Sequence, residues 1–303
     1  MRFLLFSDFH CVPGVFNAGD MDKLRYLQQR AVDEHCDIIL HAGDLSHGAG
    51  TVPELVEAYN SFPILSLHTL GNHDADKTPH EEVLRLFGLS RGHYFLDIKG
   101  YRFIFCDTNY LRNEDGNYTH YSLENYVGRE KDKDWLPPKQ LAWLEQLVNG
   151  STYPCIILSH QSFEREADGV KNQAEVRRIF NEANRRRPHS VLMCINGHNH
   201  RSNVRLLDGI CYMEIPAACF DYVPLRHSLF PAQLEEKYSL IGNTVMPQEP
   251  LHAVIELEGT AIRCKGTQTG MFMDVTVEKT GNQVFDAAGR MMRPTVESFS
   301  VTL

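Results

Sequence analysis

The sequence has no C-x-x-C pair, although eight cysteines are scattered among its 303 residues. Cys106, Cys155 and Cys194 lie inside short apolar runs, where a reduced thiol behaves as a small hydrophobic side chain. This distribution argues against a disulfide framework and indicates a reducing compartment. We therefore expect a cytoplasmic protein.

Long hydrophobic runs are also missing. The apolar stretch at residues 3–6 is too short for the core of a signal peptide, and no later run is long enough to span a bilayer. The sequence contains no internal repeat and no low-complexity tract. We expect no membrane association.

Positive charge is in deficit, with 30 basic against 39 acidic residues and a formal net charge of -9. A negative protein repels nucleic-acid backbones unless it carries a strong local basic patch. The densest basic run, Arg185-Arg186-Arg187, fits a solvated helix end. We expect no nucleic-acid partner, and the sequence leaves the oligomeric state open.

The composition, 43% hydrophobic and 23% charged, indicates a sizeable core in one large domain or in one domain with an appendage. Continuous apolar runs, typical of strands buried on both faces, alternate with stretches of helical spacing and predict an α/β sandwich. The apolar runs are residues 3–6, 38–40, 64–67, 103–106, 155–158 and 191–195. The helical stretches are residues 20–34, 52–60, 81–86, 138–148 and 171–186.

The domain organisation is interpreted as one domain at residues 1–269 and a C-terminal extension at 270–303 packed on it. Hairpins are predicted at 201–215 and 252–265, and weak strand signals occur at 274–278 and 296–301. Two polar stretches without clear periodicity are an insert at about 109–137 and a possible lid at about 221–250, which contains Tyr222, Arg226 and His227. A surface loop or an oligomer contact is an equal alternative for the second stretch.

Candidate metal ligands follow five of the six apolar runs. In chain order they are Asp8, His10, Asp44, Asn72, His160, His198 and His200. Ligands of open α/β sheets bind beyond the carboxyl ends of the strands, so these residues are expected to converge. Carboxylates, an amide oxygen and imidazoles suit Mn, Fe, Zn, Co or Ni. Seven ligands suit a pair of such ions, which can clamp both oxygens of a displacement at phosphorus.

These residues form five ordered blocks that resemble the calcineurin-like metallophosphoesterases: Asp8-x-His10, Gly43-Asp44, Gly71-Asn72-His73-Asp74, His160 and Gly197-His198-x-His200. The resemblance implies a two-sheet β-sandwich flanked by helices, in an αββα order. It also implies that Asp8, His10 and His200 hold one divalent or trivalent ion. Asn72, His160 and His198 would hold the other, with Asp44 between them.

The same resemblance implies a hydrolase that cleaves a small phosphodiester or phosphomonoester with a hydroxide bridging the two ions. His73 would face the phosphate, as a general acid to the leaving group or as a charge donor to the transition state, and Asp74 would orient His73. A nuclease and a non-catalytic scaffold of the same fold are the alternatives. His47, three residues after Asp44, could reach the substrate, whereas Asp107 closes the run at 103–106, matches no family ligand and is interpreted as structural.

Overall fold

The computed structural model describes residues 1–12, 14–15, 21–223, 229–281 and 293–303. The α-helices are α1 (Met21–Asp33), α2 (Pro53–Asn60), α3 (His80–Leu86), α4 (Pro138–Gly150), α5 (Gln173–Arg186) and α6 (Ala232–Lys237). Short 3-10 helices are Ala49–Thr51, His73–Ala75, Ile241–Asn243 and Phe272–Asp274.

Two large sheets are built from twelve of the strands. They are β1 (Arg2–Phe6), β2 (Ile38–His41), β3 (Leu65–His68), β4 (Tyr94–Ile98), β5 (Tyr101–Phe105), β8 (Cys155–Leu158), β9 (Val191–Asn196), β10 (Asn203–Leu207), β11 (Ile210–Glu214), β14 (Ala253–Glu258), β15 (Ala261–Gly266) and β16 (Phe299–Thr302). Two small hairpins pair β6 (Tyr110–Arg112) with β7 (Tyr118–His120), and β12 (Asp221–Tyr222) with β13 (Thr244–Val245).

The first sheet has the order β16-β15-β14-β1-β2-β3, and the second has the order β10-β11-β9-β8-β5-β4. Strands β1, β2 and β3 are parallel, as are β5, β8, β9 and β11. The antiparallel strands lie outside these parallel groups, so both sheets have a central region whose strands share one direction.

The core consists of three hydrophobic layers. The inner layer joins the two sheets, as shown by Phe3 and Phe103, whose rings meet edge to face at 5.8 Å. One outer layer packs α1 and α2 on the first sheet, and the other packs α4 and α5 on the second sheet. Helix α1 contributes Leu24, Leu27 and Ala31 to its layer from a single face. The predicted two-sheet sandwich flanked by helices is confirmed.

The C-terminal part of the chain differs from its predicted pattern. No strand occupies residues 274–278, because Met273 and Asp274 have φ values of 51° and 57° in the left-handed region, which ends any extended run. Strand β16 pairs with β15 at the edge of the first sheet, three residues later than the predicted start at 296. The strand β4 and the hairpin β6–β7 within the insert had no counterpart in the prediction.

All eight cysteines are buried and free of disulfides. No helix within the described residues has the length and apolar character needed to cross a membrane.

Candidate metal centre

The predicted ligands lie on turns that follow β1, β2, β3, β8 and β9, where the parallel strands of both sheets end. These turns pack so closely that some positions exclude a side chain. A Cβ added to Gly71 would lie 2.0 Å from Asp44 Oδ1, and one added to Gly197 would lie 1.9 Å from Ser7 Oγ. Glycine is therefore required before Asn72 and before His198 because ligand-bearing turns meet there.

Five of the seven predicted ligands adopt left-handed backbone conformations. Their φ values are 49° for Asp8, 52° for His10, 58° for Asp44, 68° for His198 and 52° for His200. Such conformations are costly for residues other than glycine and concentrate at functional sites. The fold thus holds these side chains in place at the expense of local backbone strain.

One group of ligand atoms comprises Asp8, His10 and His200. The Nε2 atoms of His10 and His200 are 2.8 Å apart, and they lie 3.6 Å and 3.3 Å from Asp8 Oδ1. His10 is 2% exposed and Asp8 fully buried, whereas the His200 side chain is 21% exposed and lies at the outer side of this group. This is the set expected for one ion.

A second group comprises Asp8, Asp44 and His160. His160 Nε2 lies 3.0 Å from Asp44 Oδ2 and 3.9 Å from Asp8 Oδ1. His160 Nδ1 lies 2.8 Å from the Ala42 carbonyl oxygen, to which it can only donate, so the lone pair of the neutral ring belongs to Nε2. Asp8 is shared by the two groups, which places them side by side.

The other two predicted ligands border this second group. The His198 ring lies 5.1 Å from the His160 ring, and the backbone N–H of His198 donates to the Asp8 carboxylate. The Asn72 amide donates through Nδ2 to Tyr126 Oη at 3.3 Å, whereas its Oδ1 atom is buried without a hydrogen bond. All seven predicted ligands therefore gather at one rim of the sandwich.

The donor set fits a pair of cations. Asn72 Oδ1 is buried without a hydrogen bond, although buried polar atoms are nearly always satisfied. His160 Nε2 faces the carboxylates of Asp44 and Asp8. Two carboxylates and four imidazoles gather here, in agreement with borderline divalent ions. Bound cations would satisfy Asn72 Oδ1 and neutralise the buried carboxylates.

The buried carboxylates and imidazoles of this rim shift one another's pKa values. Burial alone would raise the pKa of Asp8, but His200 and His160 bring it below its usual value. Burial opposes protonation of His160, yet Asp44 and Asp8 raise its pKa to about 9. His160 therefore carries a proton at neutral pH.

We expect metal uptake near neutral pH to release protons, because only the neutral imidazole of His160 can bind a metal. Metal affinity should accordingly fall as the pH decreases. Calorimetric titration of the stripped protein in two buffers with different ionisation enthalpies measures the protons released, and the His160→Asn variant should release about one fewer. Uptake without proton release would contradict this arrangement.

His73 is oriented by a residue other than the predicted one. Its Nδ1 atom bonds Asp76 Oδ2 at 2.6 Å. The carboxylate of Asp74 instead accepts the backbone N–H groups of residues 44, 46 and 71, so it fixes the turns and cannot orient His73. The predicted role of Asp74 is wrong, because three backbone donors enclose its carboxylate. Tyr126 Oη donates to the other Asp76 oxygen at 2.7 Å and holds it in place.

We expect Asp76→Asn to lower turnover by about 10–100-fold, the usual effect of losing a supporting hydrogen bond in a metal site. Burial opposes protonation of His73, but Asp44 and the bond with Asp76 raise its pKa. A general acid must be protonated, so activity is lost as the pH rises through its pKa. Without Asp76 that alkaline loss should begin at lower pH.

The matched control is Asp74→Asn, which is expected to lower thermal stability without moving the alkaline limb of the pH–rate profile. A shifted limb in Asp74→Asn and an unchanged one in Asp76→Asn would reverse the assignment.

Asp221 is a second supporting carboxylate, which the sequence pattern did not predict. Asp221 Oδ1 lies 2.5 Å from His200 Nδ1, so the possible lid contributes a partner to the predicted ligand His200. Its neighbour Tyr222 is 45% exposed and lies 6.4 Å from His47, ring to ring. The proposed lid residues Arg226 and His227 lie outside the described residues. Only the position of Asp221 directly after Phe220, at the end of an apolar stretch, could have indicated its role.

His47, which was expected to reach substrate, stacks on His73 with 4.0 Å between the rings and lies 3.0 Å from His10 Nδ1 through its Nε2 atom. It therefore belongs to the same rim as the predicted ligands.

The comparisons with known proteins agree with this geometry. The sequence profile of the calcineurin-like phosphoesterases matches residues 1–202. No curated protein matches the sequence significantly. A dimetal phosphatase from Danio rerio is similar in structure with a TM-score of 0.60 and 14% identity, over 88% of this chain and 95% of its own.

GAP50 of Plasmodium, described as the anchor in the inner membrane complex, gives a TM-score of 0.53 at 14% identity, over 88% of this chain and 84% of its own. At such low identity these two similarities establish the fold alone. The profile match, in contrast, covers two thirds of the sequence, from residue 1 to residue 202 of 303, and includes every predicted ligand. The chain therefore belongs to the calcineurin-like phosphoesterase family.

Proposed function

We propose that the protein hydrolyses a phosphate ester of a small molecule at a two-metal centre. The observation that supports this most strongly is the meeting of seven predicted ligands from five turns, among which Asn72 Oδ1 is buried without a hydrogen bond. Membership of a family of hydrolases supports the reaction class.

In this proposal Asp8, His10 and His200 hold one ion, Asn72, His160 and His198 hold the other, and Asp44 lies between them. Mn, Fe, Zn, Co and Ni all suit this donor set. When bound, the pair supplies Lewis-acid activation of the phosphoryl group and of the attacking water.

The chain itself supplies proton transfer. His73 Nδ1 bonds Asp76, so Nε2 is the nitrogen that can face a substrate oxygen. With its pKa raised by Asp44 and by Asp76 against the effect of burial, His73 carries the proton that a leaving oxygen needs. The stacked ring of His47 limits rotation of His73.

Small substrates are favoured over nucleic acids because the net charge of -9 repels a polyanionic backbone. Tyr126 and Tyr222 lie within 6.5 Å of the His73 and His47 rings, respectively, and would contact the ester group beyond the phosphate. We also propose the cytoplasm as the compartment, which the eight free and buried thiols support.

A direct test is hydrolysis of bis-p-nitrophenyl phosphate and p-nitrophenyl phosphate by chelator-stripped protein, before and after Mn²⁺ is added back. The expected result is no activity in the stripped protein and recovery with Mn²⁺, and the ratio of the two rates reports diester or monoester preference. A metal-independent rate, or no rate after reloading, would refute the proposal.

A further inference from the structure

A second concentration of metal-binding side chains lies outside the proposed two-metal centre. His80 begins α3, Asp107 follows the end of β5 and His120 ends β7, yet their ligand atoms all lie within 4.8 Å of one another. None of the three is among the seven predicted ligands. Because they come from distant parts of the sequence, the fold alone brings them together.

Two donor atoms of this cluster are buried without a hydrogen bond of good geometry. Asp107 is fully buried, and its Oδ1 accepts the backbone N–H of Asn109 at 3.0 Å. Its Oδ2 faces the buried Nδ1 atom of His120 at 3.4 Å. Buried polar atoms are nearly always satisfied, and a cation bound by both atoms would complete this pair.

A third imidazole lies near this cluster. His93 precedes β4, and its Nδ1 atom is buried without a hydrogen bond. Burial lowers the pKa of His80 and of His93, so both rings are neutral near pH 7, the form that binds metals.

The surroundings hold the cluster rigidly. The rings of His80 and His120 stack at 3.6 Å, and Tyr110 covers the His120 ring at 4.1 Å. The Gln140 side chain bonds both the N–H and the carbonyl of Asp107, at 2.8 Å and 2.7 Å. The backbone of Asp107 is therefore fixed, while the Oδ2 atom of its side chain faces the imidazole of His120.

We propose that His80, Asp107 and His120 form a separate site for a single Zn²⁺ ion. Two imidazoles and one carboxylate supply three of the four nitrogen and oxygen ligands that zinc favours, and a water molecule would supply the fourth.

The position of the site explains what such an ion stabilises. His120 lies in the hairpin β6–β7 of the insert, whereas Asp107 and His93 flank β5 and β4 at the edge of the second sheet. The same insert carries Tyr126, which contacts Asn72 and Asp76 in the proposed two-metal centre. A zinc ion would link the hairpin β6–β7 of the insert to the edge of the second sheet, and this link would hold Tyr126 in position.

The decisive experiment is anomalous diffraction at the zinc absorption edge from crystals of the full chain, loaded with zinc and freed of excess ion by gel filtration. A peak among His80, Asp107 and His120 is expected in addition to any peaks at the two-metal centre. Peaks at the two-metal centre with none at this cluster would overturn the proposal and leave the hydrolytic function intact. A peak at the cluster with none at the two-metal centre would support the third site and count against the hydrolytic function.

Metal analysis of variants provides a second test. Asp107→Asn and His120→Asn should each bind about one zinc ion fewer per chain than the unaltered protein. The matched control His35→Asn alters an exposed histidine outside the cluster and should bind the full number. Equal zinc content in Asp107→Asn, His120→Asn and the unaltered chain would overturn the proposal, and circular dichroism verifies that each variant is folded.

Discussion

Replacing Asp44 with asparagine is expected to lower kcat/KM for phosphate-ester hydrolysis by more than about 100-fold, since even the loss of a supporting hydrogen bond in a metal site costs about 10–100-fold. Asp44 is 1% exposed, and its Oδ2 atom lies 3.0 Å from His160 Nε2. Its other oxygen accepts the backbone N–H of His73 at 2.8 Å. Asparagine preserves that hydrogen bond and the size of the side chain but removes the charge that a shared carboxylate provides.

The measurement pairs steady-state kinetics with metal analysis of the same preparation. Asp44→Asn should lose activity together with one bound ion, whereas Asp76→Asn, which removes a nearby carboxylate that is not a predicted ligand, should keep both ions. An Asp44→Asn variant with an unchanged rate would refute the bridging role of Asp44.

The second large effect is expected from His73→Asn, which should lower turnover by about 10²–10⁴-fold on an ester with a poor leaving group, the range supplied by a general acid. Burial and the neighbouring His73 lower the pKa of His47 to about 4, so His47 is neutral near pH 7 and cannot serve as the acid. The proton donor of the stacked pair is therefore His73, whose pKa is raised by Asp44 and Asp76 although burial opposes it.

Substrates with different leaving groups separate an acid from a ligand. Nitrophenolate departs without protonation, so His73→Asn should be far less impaired on p-nitrophenyl esters than on alkyl esters, and its metal content should be unchanged. His47→Asn is the control and should show no dependence on the leaving group. Loss of metal from His73→Asn would instead identify His73 as a ligand.

The parts of the fold that the sequence predicted well depend on local patterns. Runs such as residues 155–158 are continuously apolar because both faces of β8 are covered, and the structure gives this strand the same bounds. The polar residues that end such runs, including Asp8 and His198, were predicted to converge because ligands bind beyond the carboxyl ends of the strands in α/β sheets. They follow strands of two different sheets, whose carboxyl ends meet at one rim.

The relationships that sequence analysis missed depend on packing between distant segments. Asp76 follows Asp74 by two residues, and nothing in the sequence shows which carboxylate faces His73 and which faces backbone N–H groups. Asp221 meets His200 only because the chain returns to the rim after β11. Asp107 was interpreted as structural because it matches no family ligand, although His120 and His80 lie beside it in the fold.

The pairing of two cations is tested most directly by electron paramagnetic resonance of stripped protein reloaded with Mn²⁺. The two groups of predicted ligands lie side by side and share Asp8, so ions held by them would be close enough for magnetic coupling. We predict the spectrum of an exchange-coupled Mn²⁺ pair, which Asp44→Asn converts to that of isolated ions. A reloaded and catalytically active protein that shows only isolated Mn²⁺ would contradict the two-metal centre.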